Sequence, residues 1–290
     1  MNLSKRNSER VSYEGLHKAS IESPNRFWHD VSNEIEWIEQ PKQVLSADHN
    51  GVDRWFEGGK LNTAWLCLDR HVEAGRGDQI ALIYDSPVTG TLEQYSFSEL
   101  TRRVSHIAGA LQKSGVGTGD RVVIYMPMIP ETVMAMLACA RIGAVHSVVF
   151  GGFAGRELAT RIEDATPKLL LTATCGIEFD RVVRYMPLVD EALRLSSFEP
   201  GEIVVLQRDM AREPLDKPGF VDWHYWMSSA MNVDAVPTDA WDPLYILYTS
   251  GTTGKPKGVV RDCGSHAVAL TYSMSAIYGC GVGDVFWAAS

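Results

Sequence analysis

Apolar residues recur at two different periods along this chain, and the change between them divides it. Behind Ser23-Pro24, a pair suited to a helix start, Phe27, Val31 and Ile35 fall four apart and predict a helix with one apolar stripe. Up to about residue 70 the chain is rich in tryptophan (Trp28, Trp37, Trp55, Trp65), which reads as a segment packing its aromatics onto something larger. From residue 79 the rhythm changes. Short apolar runs predict strands: "IALIY" (80–84), "RVVIYMP" (121–127), "AVHSVVF" (144–150), "KLLLTA" (168–173), "IVVL" (203–206) and "LYILY" (244–248), with "LEQYSF" (92–97) as a hairpin partner for the first. Helices fall between them. Ser96 and Glu99 form a capping box ahead of Leu100, Val104, Ile107 and Leu111, with Gly115 as the stop. Pro130 opens a helix to Arg141 that Gly143 ends, Gly155 to Ala165 is helical, and another helix lies near 187–195.

Strands that are apolar on both faces and alternate with helices predict an α/β fold, a mostly parallel sheet flanked by helices. In such sheets ligands bind beyond the carboxyl ends of the strands. The expected organisation is a disordered stretch over residues 1–10, an N-terminal segment over 11–75 and a sheet domain over 76–290. No internal repeat or low-complexity tract interrupts it.

Composition narrows the class. Hydrophobic residues make up 45% and charged residues 22%, an ordinary globular balance. A net charge of −9 argues against nucleic acid as a partner, since such binding needs a basic footprint. Five cysteines, none in a C-x-x-C pair, fit a reducing compartment and offer neither a zinc site nor a disulfide framework. The polar start "MNLSKRNSER" carries no apolar signal region, and the longest apolar run, Val133 to Ala140, is too short for a membrane span. The expectation is a cytoplasmic protein with no membrane partner.

The chemistry concentrates in "YILYTSGTTGKPKGVVR", Tyr245 to Arg261. Thr249 to Gly258 packs glycines, hydroxyls and two lysines behind an apolar strand. Glycines let the backbone turn tightly and converge its N–H groups, hydroxyls add donors, and a lysine adds a point charge, which together suit a polyphosphate. A Walker A loop is excluded: Pro256 follows Gly254-Lys255, and Thr249 stands where the first glycine belongs. A dinucleotide G-x-G-x-x-G is absent. The bland reading is a flexible polar hairpin with "GVV" (258–260) as its return strand. Pro256, between two lysines, would fix the backbone and help aim Lys257.

"YTSGTTGKPKG" resembles the phosphate-binding signature of the adenylate-forming acyl-CoA synthetases. "SPNRFW", "WFEGGKLNTAWLCLDRH" and "VHSVVFGGF" resemble segments of the acetyl- and propionyl-CoA synthetase branch. The Arg-Asp in "GVVRDCGSHAVAL" leans towards the propionyl-CoA synthetases. The resemblance implies an AMP-forming acid–thiol ligase, in which propionate attacks Mg-ATP to give an acyl-adenylate and pyrophosphate, and coenzyme A then displaces AMP. It implies ATP with Mg2+ and coenzyme A as the cofactor and co-substrate, a small carboxylate as the substrate, and no resident metal. By resemblance Thr249, Thr253 and Lys257 contact the β- and γ-phosphates, with Lys257 stabilising charge, while Ser250, Gly251, Thr252 and Gly254 shape the loop. Lys255 reads as a solvated loop charge. Phe150, Gly151 and Gly152 match the turn beside the coenzyme's adenine, and Glu178, Phe179, Asp180 and Arg181 match the segment that meets its 3′-phosphate. There the chain departs from its relatives: a glycine is usual at Asp180, often a proline at Phe179, and the acetyl branch has an arginine at Glu178. Arg181 therefore reads equally as a coenzyme contact or a surface ion-pair partner.

Other polar and aromatic residues read as structural: His146 as a core histidine, Trp223, Tyr225 and Trp226 as packing, Met134 and Met136 as helix core, and Asp69-Arg70-His71 as an anchoring turn. After "DVFWAAS" (284–290) the resemblance would continue with an acyl pocket, an adenine site and a C-terminal domain bearing the adenylation lysine. The expectation is thus an incomplete N-terminal domain of an adenylate-forming enzyme, inactive alone, with a separate polypeptide as one possible source of the rest. An acetate-activating fragment and a non-catalytic nucleotide- or coenzyme-binding module remain the alternatives.

Overall fold

The computed structural model describes residues 12–249 and 256–287. Helix α1 (Tyr13–Glu22) runs into α2 (Pro24–Ser32). Ser23 closes α1, donating its N–H to the Ala19 carbonyl, and does not cap α2 through its side chain. The helix stops at Ser32, so Ile35 is buried from the turn beyond it and not from the helical stripe. A hairpin of β1 (Gln43–Ala47) and β2 (Asp53–Glu57) follows, then β3 (Lys60–Leu61) and the short helices α3 (Thr63–Cys67) and α4 (Asp69–His71).

Next comes the antiparallel pair β4 (Ile80–Ser86) and β5 (Thr91–Ser96). It leads into α5 (Phe97–Lys113), whose first turn is capped by Ser96 Oγ accepting from the Glu99 N–H at 3.2 Å. Only half of the capping box forms: the Glu99 carboxylate turns instead to Arg103, 2.8 Å away. The alternating part then runs β6 (Arg121–Met126), α6 (Pro130–Arg141), β7 (Val145–Phe150), α7 (Gly155–Ala165) and β8 (Leu169–Ala173). A second hairpin, β9 (Cys175–Glu178) and β10 (Arg181–Arg184), precedes α8 (Met186–Leu195) and β11 (Glu202–Leu206). The chain continues through β12 (Phe220–Asp222), α9 (Trp223–Met227), β13 (Thr238–Asp239), β14 (Pro243–Thr249), β15 (Lys257–Asp262) and α10 (Cys263–Ala276).

These elements form two compact units. One holds residues up to Leu61, Pro237–Asp242 and the chain from Asp262. Its centre is aromatic: Phe27 meets Trp28 and Tyr272 edge-on, Trp28 meets Trp55, and Trp37 tilts against Phe56. Trp241 donates its indole N–H to the Trp55 carbonyl at 2.7 Å, and β13 pairs with β3.

The other unit, Asn62–Val236 and Pro243–Arg261, is built on a seven-stranded sheet of order β12-β11-β8-β6-β7-β14-β15. Neighbouring strands from β12 to β14 are parallel. Alternation along β6 feeds two cores: Val122, Ile124 and Met126 face α5, α6 and α9, while Val123 and Tyr125 face α7 and α8. A sheet buried on both faces needs apolar residues at nearly every strand position, and β6 and β8 supply them.

A polar hub fixes the end of α6, the helix that delivers β7. Arg141 makes two hydrogen bonds to Asp69, of 2.7 and 2.9 Å, and a third to the Val233 carbonyl at 2.7 Å. Asn62 caps α3 through Oδ1 and donates its amide to the carbonyls of Ala140, Arg141 and Val236. Asp69 is thus an anchor. His71 accepts from Arg76 at 2.6 Å and lies 4.5 Å from the Phe97 ring.

Candidate functional site

Two of the sequence-predicted segments leave the sheet from adjacent strands at one edge. β7 and β14 pair in parallel with Tyr245 opposite His146. Thr249 and Phe150 are the last residues of β14 and β7, each four residues beyond that pair. The glycine-rich segment thus follows the carboxyl end of β14, and the turn that Phe150 begins follows the carboxyl end of its sheet neighbour β7. Thr249, the last residue of β14, and Lys257, the first of β15, are both exposed. Ser250, Gly251, Thr252, Thr253, Gly254 and Lys255 lie outside the described residues. Gly258 returns closely past the outgoing strand: a Cβ there would come within 3.1 Å of Ile246 and 3.2 Å of Tyr248.

The turn after β7 is held from below. Phe150 is largely exposed and packs 5.5 Å from Phe153. A Cβ on Gly151 would lie 2.4 Å from Tyr185 Oη and 2.7 Å from the Met126 carbonyl oxygen, so no larger residue fits. Gly152 has φ +98, a region L-residues avoid, and a Cβ there would meet the Glu178 carboxylate at 2.7 Å. Tyr125 supports both sides of the turn. Its hydroxyl donates to the Phe153 carbonyl at 2.7 Å and accepts from the Gly152 N–H at 3.3 Å. Tyr185 packs on it, ring centres 5.0 Å apart. Burial pushes the Tyr125 phenol up to about 12, and burial with its tyrosine neighbour raises Tyr185, so both rings stay neutral supports.

One buried guanidinium touches both segments. Arg161 on α7 lies 5.4 Å over the Phe153 ring and 5.5 Å over the Tyr248 ring, and is anchored by Glu157 at 2.7 Å. Tyr248, one residue before Thr249, donates its hydroxyl to Asp164 at 2.6 Å. Burial and the Asp164 carboxylate raise its pKa. These residues carried no signal in the sequence beyond Tyr248's place at the loop's entrance.

Glu178 to Arg181 form the tip of the β9–β10 hairpin, with Glu178 opposite Arg181 in the register. Phe179 has φ +55 and is 94% exposed. Arg181 is paired with Glu178 at 3.3 Å on the surface. Glu178 reaches the Gly152 turn, so the hairpin and the β7 turn do come together.

The residues read as structural take these places. His146 is buried, its ring 5.6 Å from Tyr245. Trp223 and Trp226 are core, but Tyr225 is 76% exposed, because the short helix α9 turns one aromatic outward. Met134 is buried and Met136 packs on the same core. Among the described residues no group of three or more His, Cys, Asp or Glu could hold a metal ion, and no helix is long and apolar enough to cross a membrane.

Residues 13–67 match the acetyl-coenzyme A synthetase N-terminus family, and residues 68–290 match the AMP-binding enzyme family. An uncharacterised protein of Pseudomonas aeruginosa is 54% identical, over 97% of this chain and 45% of its own length. The mitochondrial acyl-CoA synthetase short-chain family member 3 of Bos taurus is 51% identical, over 94% of this chain and 40% of its own. Among solved structures, an acetoacetyl-CoA synthetase from Streptomyces lividans superposes with a TM-score of 0.84 at 26% identity, covering 97% of this chain and 44% of that one. The chain spans less than half the length of these relatives. It belongs to the AMP-binding enzyme family, in the acetyl-CoA synthetase-like group.

Proposed function

We propose that the chain supplies the phosphate loop and the coenzyme-facing turn of an AMP-forming short-chain acyl-CoA ligase with propionate as its acid. The observation that supports this reading is that β14 and β7, the parallel strands that Thr249 and Phe150 end, are neighbours in the sheet. A ligase that passes an acyl group from phosphate to thiol needs both grips at one place. The substrates are a small carboxylate, ATP with its Mg2+ carried on the phosphates, and coenzyme A. Thr249, Thr253 and Lys257 hold the β- and γ-phosphates, and Lys257 offsets the charge that builds as pyrophosphate leaves. Ser250, Gly251, Thr252 and Gly254 shape the loop. Phe150, Gly151 and Gly152, with the hairpin tip Glu178 to Arg181, face the coenzyme. The domain division at about residue 75, a cytoplasmic setting and completion of the site by further polypeptide belong to the same proposal. The Arg261-Asp262 pair after the loop supports the propionate assignment.

The test is calorimetric binding of Mg-ATP to the chain and to Lys257→Ala. Loss of one charge-assisted contact should weaken binding by on the order of tenfold. Equal affinities would remove Lys257 from the site. The acid is identified by AMP release from the gene product as the cell makes it, with propionate expected to exceed acetate and butyrate.

A further inference from the structure

Beyond α4 the helical winding continues through Val72–Arg76 and is broken at Gly75, whose φ is +76. A left-handed residue at a helix end folds the residue after it back over the residue four before, and an apolar pair commonly fills that contact. Here the pair is polar: Arg76 and His71 stand 2.6 Å apart. A guanidinium only donates, so Nδ1 of His71 accepts and the proton of the neutral ring sits on Nε2. Burial, then Arg70 and Arg76, hold the ring neutral down to about 4. Among the described residues Nε2 has no acceptor.

Arg70 is half-buried and makes no hydrogen bond or ion pair with any described residue. Its Nε is fully buried without a partner. The carboxylates of the same stretch do not serve either guanidinium. Asp69 is committed to Arg141, and Glu73 accepts from the Trp65 indole at 3.2 Å. No described carboxylate, Asp78 included, forms an ion pair with Arg70 or Arg76. Two guanidiniums therefore act on one neutral ring, all of them donors, with no acceptor to satisfy them. Buried donors are normally paired, and like charges held together need an anion to offset them.

We propose that Arg70, His71 and Arg76 form a binding site for a phosphate dianion. The donor set selects this class. A metal cation is repelled by two guanidiniums, and a carboxylate balances only one of them. A phosphate balances both and offers oxygens enough for the two guanidiniums and the imidazole N–H. Occupied, the site ties residues 70–76 together directly after Asp69, the anchor of the α6 hub. It rests on neither the glycine-rich loop nor the Phe150 turn.

Thermal unfolding of the full chain, with phosphate exchanged for chloride at constant ionic strength, tests this. Orthophosphate at about ten times its dissociation constant should raise the melting midpoint by about 3–6 °C. Arg70→Gln and Arg76→Gln should each weaken that binding by on the order of tenfold. Without phosphate, Arg70→Gln should melt no lower than the wild type, since the charge it removes has no partner. Phosphate should also move the His71 ring resonance in NMR spectra and raise the pH at which the ring titrates. Lys257→Ala should keep the whole response. AMP is the second ligand: tighter binding of AMP, lost in the same two variants, makes a phosphate ester the occupant, and orthophosphate binding as tightly makes it the free ion. A midpoint and a His71 resonance that ignore both ligands would overturn the proposal. So would a response that is equal in the wild type and both arginine variants, or one that only Lys257→Ala abolishes, because each places the anion elsewhere.

Discussion

Removing the Asp69 carboxylate probes the hub that holds the end of α6, and the structure sets the size of the effect. The Arg141 side chain is 5% exposed and that of Asp69 16% exposed, with two hydrogen bonds between them. Asp69→Ala leaves the guanidinium buried, with the Val233 carbonyl as its remaining side-chain contact in the hub. Breaking a buried ion pair from one side costs about 3–5 kcal/mol, because an uncompensated charge stays behind. Residual exposure at Asp69 lets water reach the vacated position, which places the loss at the lower end, about 3 kcal/mol. For a unit of this size that corresponds to a fall of about 6–12 °C in the melting midpoint. Thermal and urea unfolding followed by tryptophan fluorescence measure it. The decisive comparison is the double variant Asp69→Leu with Arg141→Met, which removes both charges together and should recover most of the loss. A loss below about 1 kcal/mol in Asp69→Ala, or a double variant no more stable than the single one, would refute the claim that the stranded guanidinium dominates.

Three further outcomes follow from the site and its surroundings. Gly151→Ala forces a methyl into Tyr185 Oη and the Met126 carbonyl, and should cost about 1–3 kcal/mol by urea unfolding. Tyr125→Phe removes a donor to Phe153 and an acceptor for Gly152; it should lower stability by about 1–2 kcal/mol and weaken coenzyme A binding measured by calorimetry. His71 is held down to about 4, by burial first and then by Arg70 and Arg76, so the folded state keeps a neutral ring that the unfolded chain protonates below about 6.5. Its contribution to stability is complete above pH 6.5 and is lost as the pH falls towards 4; His71→Gln should flatten that part of the urea-midpoint profile.

Much of the sheet unit was legible because its signals are local. Pro130 and Gly143 bracket α6, and the runs at 121–127, 144–150, 168–173 and 203–206 are short and apolar, the pattern of strands buried on both faces. The other unit gave less away. α10 has apolar residues all round and no stripe, so periodicity does not find it, although Asp262 accepting from the Ser265 N–H is a cap the sequence could have suggested. Within the sheet unit, the β9–β10 hairpin escaped detection because its tip, Glu178-Phe179-Asp180-Arg181, has no glycine or asparagine to announce a turn, and Phe179 takes a positive φ instead.

What the sequence could least express is how the two candidate segments are tied together. "VHSVVFGGF" and "YTSGTTGKPKG" lie about a hundred residues apart, and each reads as a separate motif. In the fold their strands are neighbours, and a guanidinium from a third element sits over the ring that ends one motif and the ring that begins the other. Buried cation–aromatic contacts of this kind are worth about 2 kcal/mol or more. Arg161 makes two of them while its charge is balanced by Glu157, so the arrangement fixes Phe153 and Tyr248 relative to α7. The glycines then follow from the crowding around the turn. Gly151 lies against Tyr185 and the Met126 carbonyl, and Gly152 against Glu178. The small residues of the motif are therefore small for two reasons: the Tyr185 ring at the start of α8 and the β6 backbone fill the space at Gly151, and Gly152 takes a positive φ that a side chain would strain.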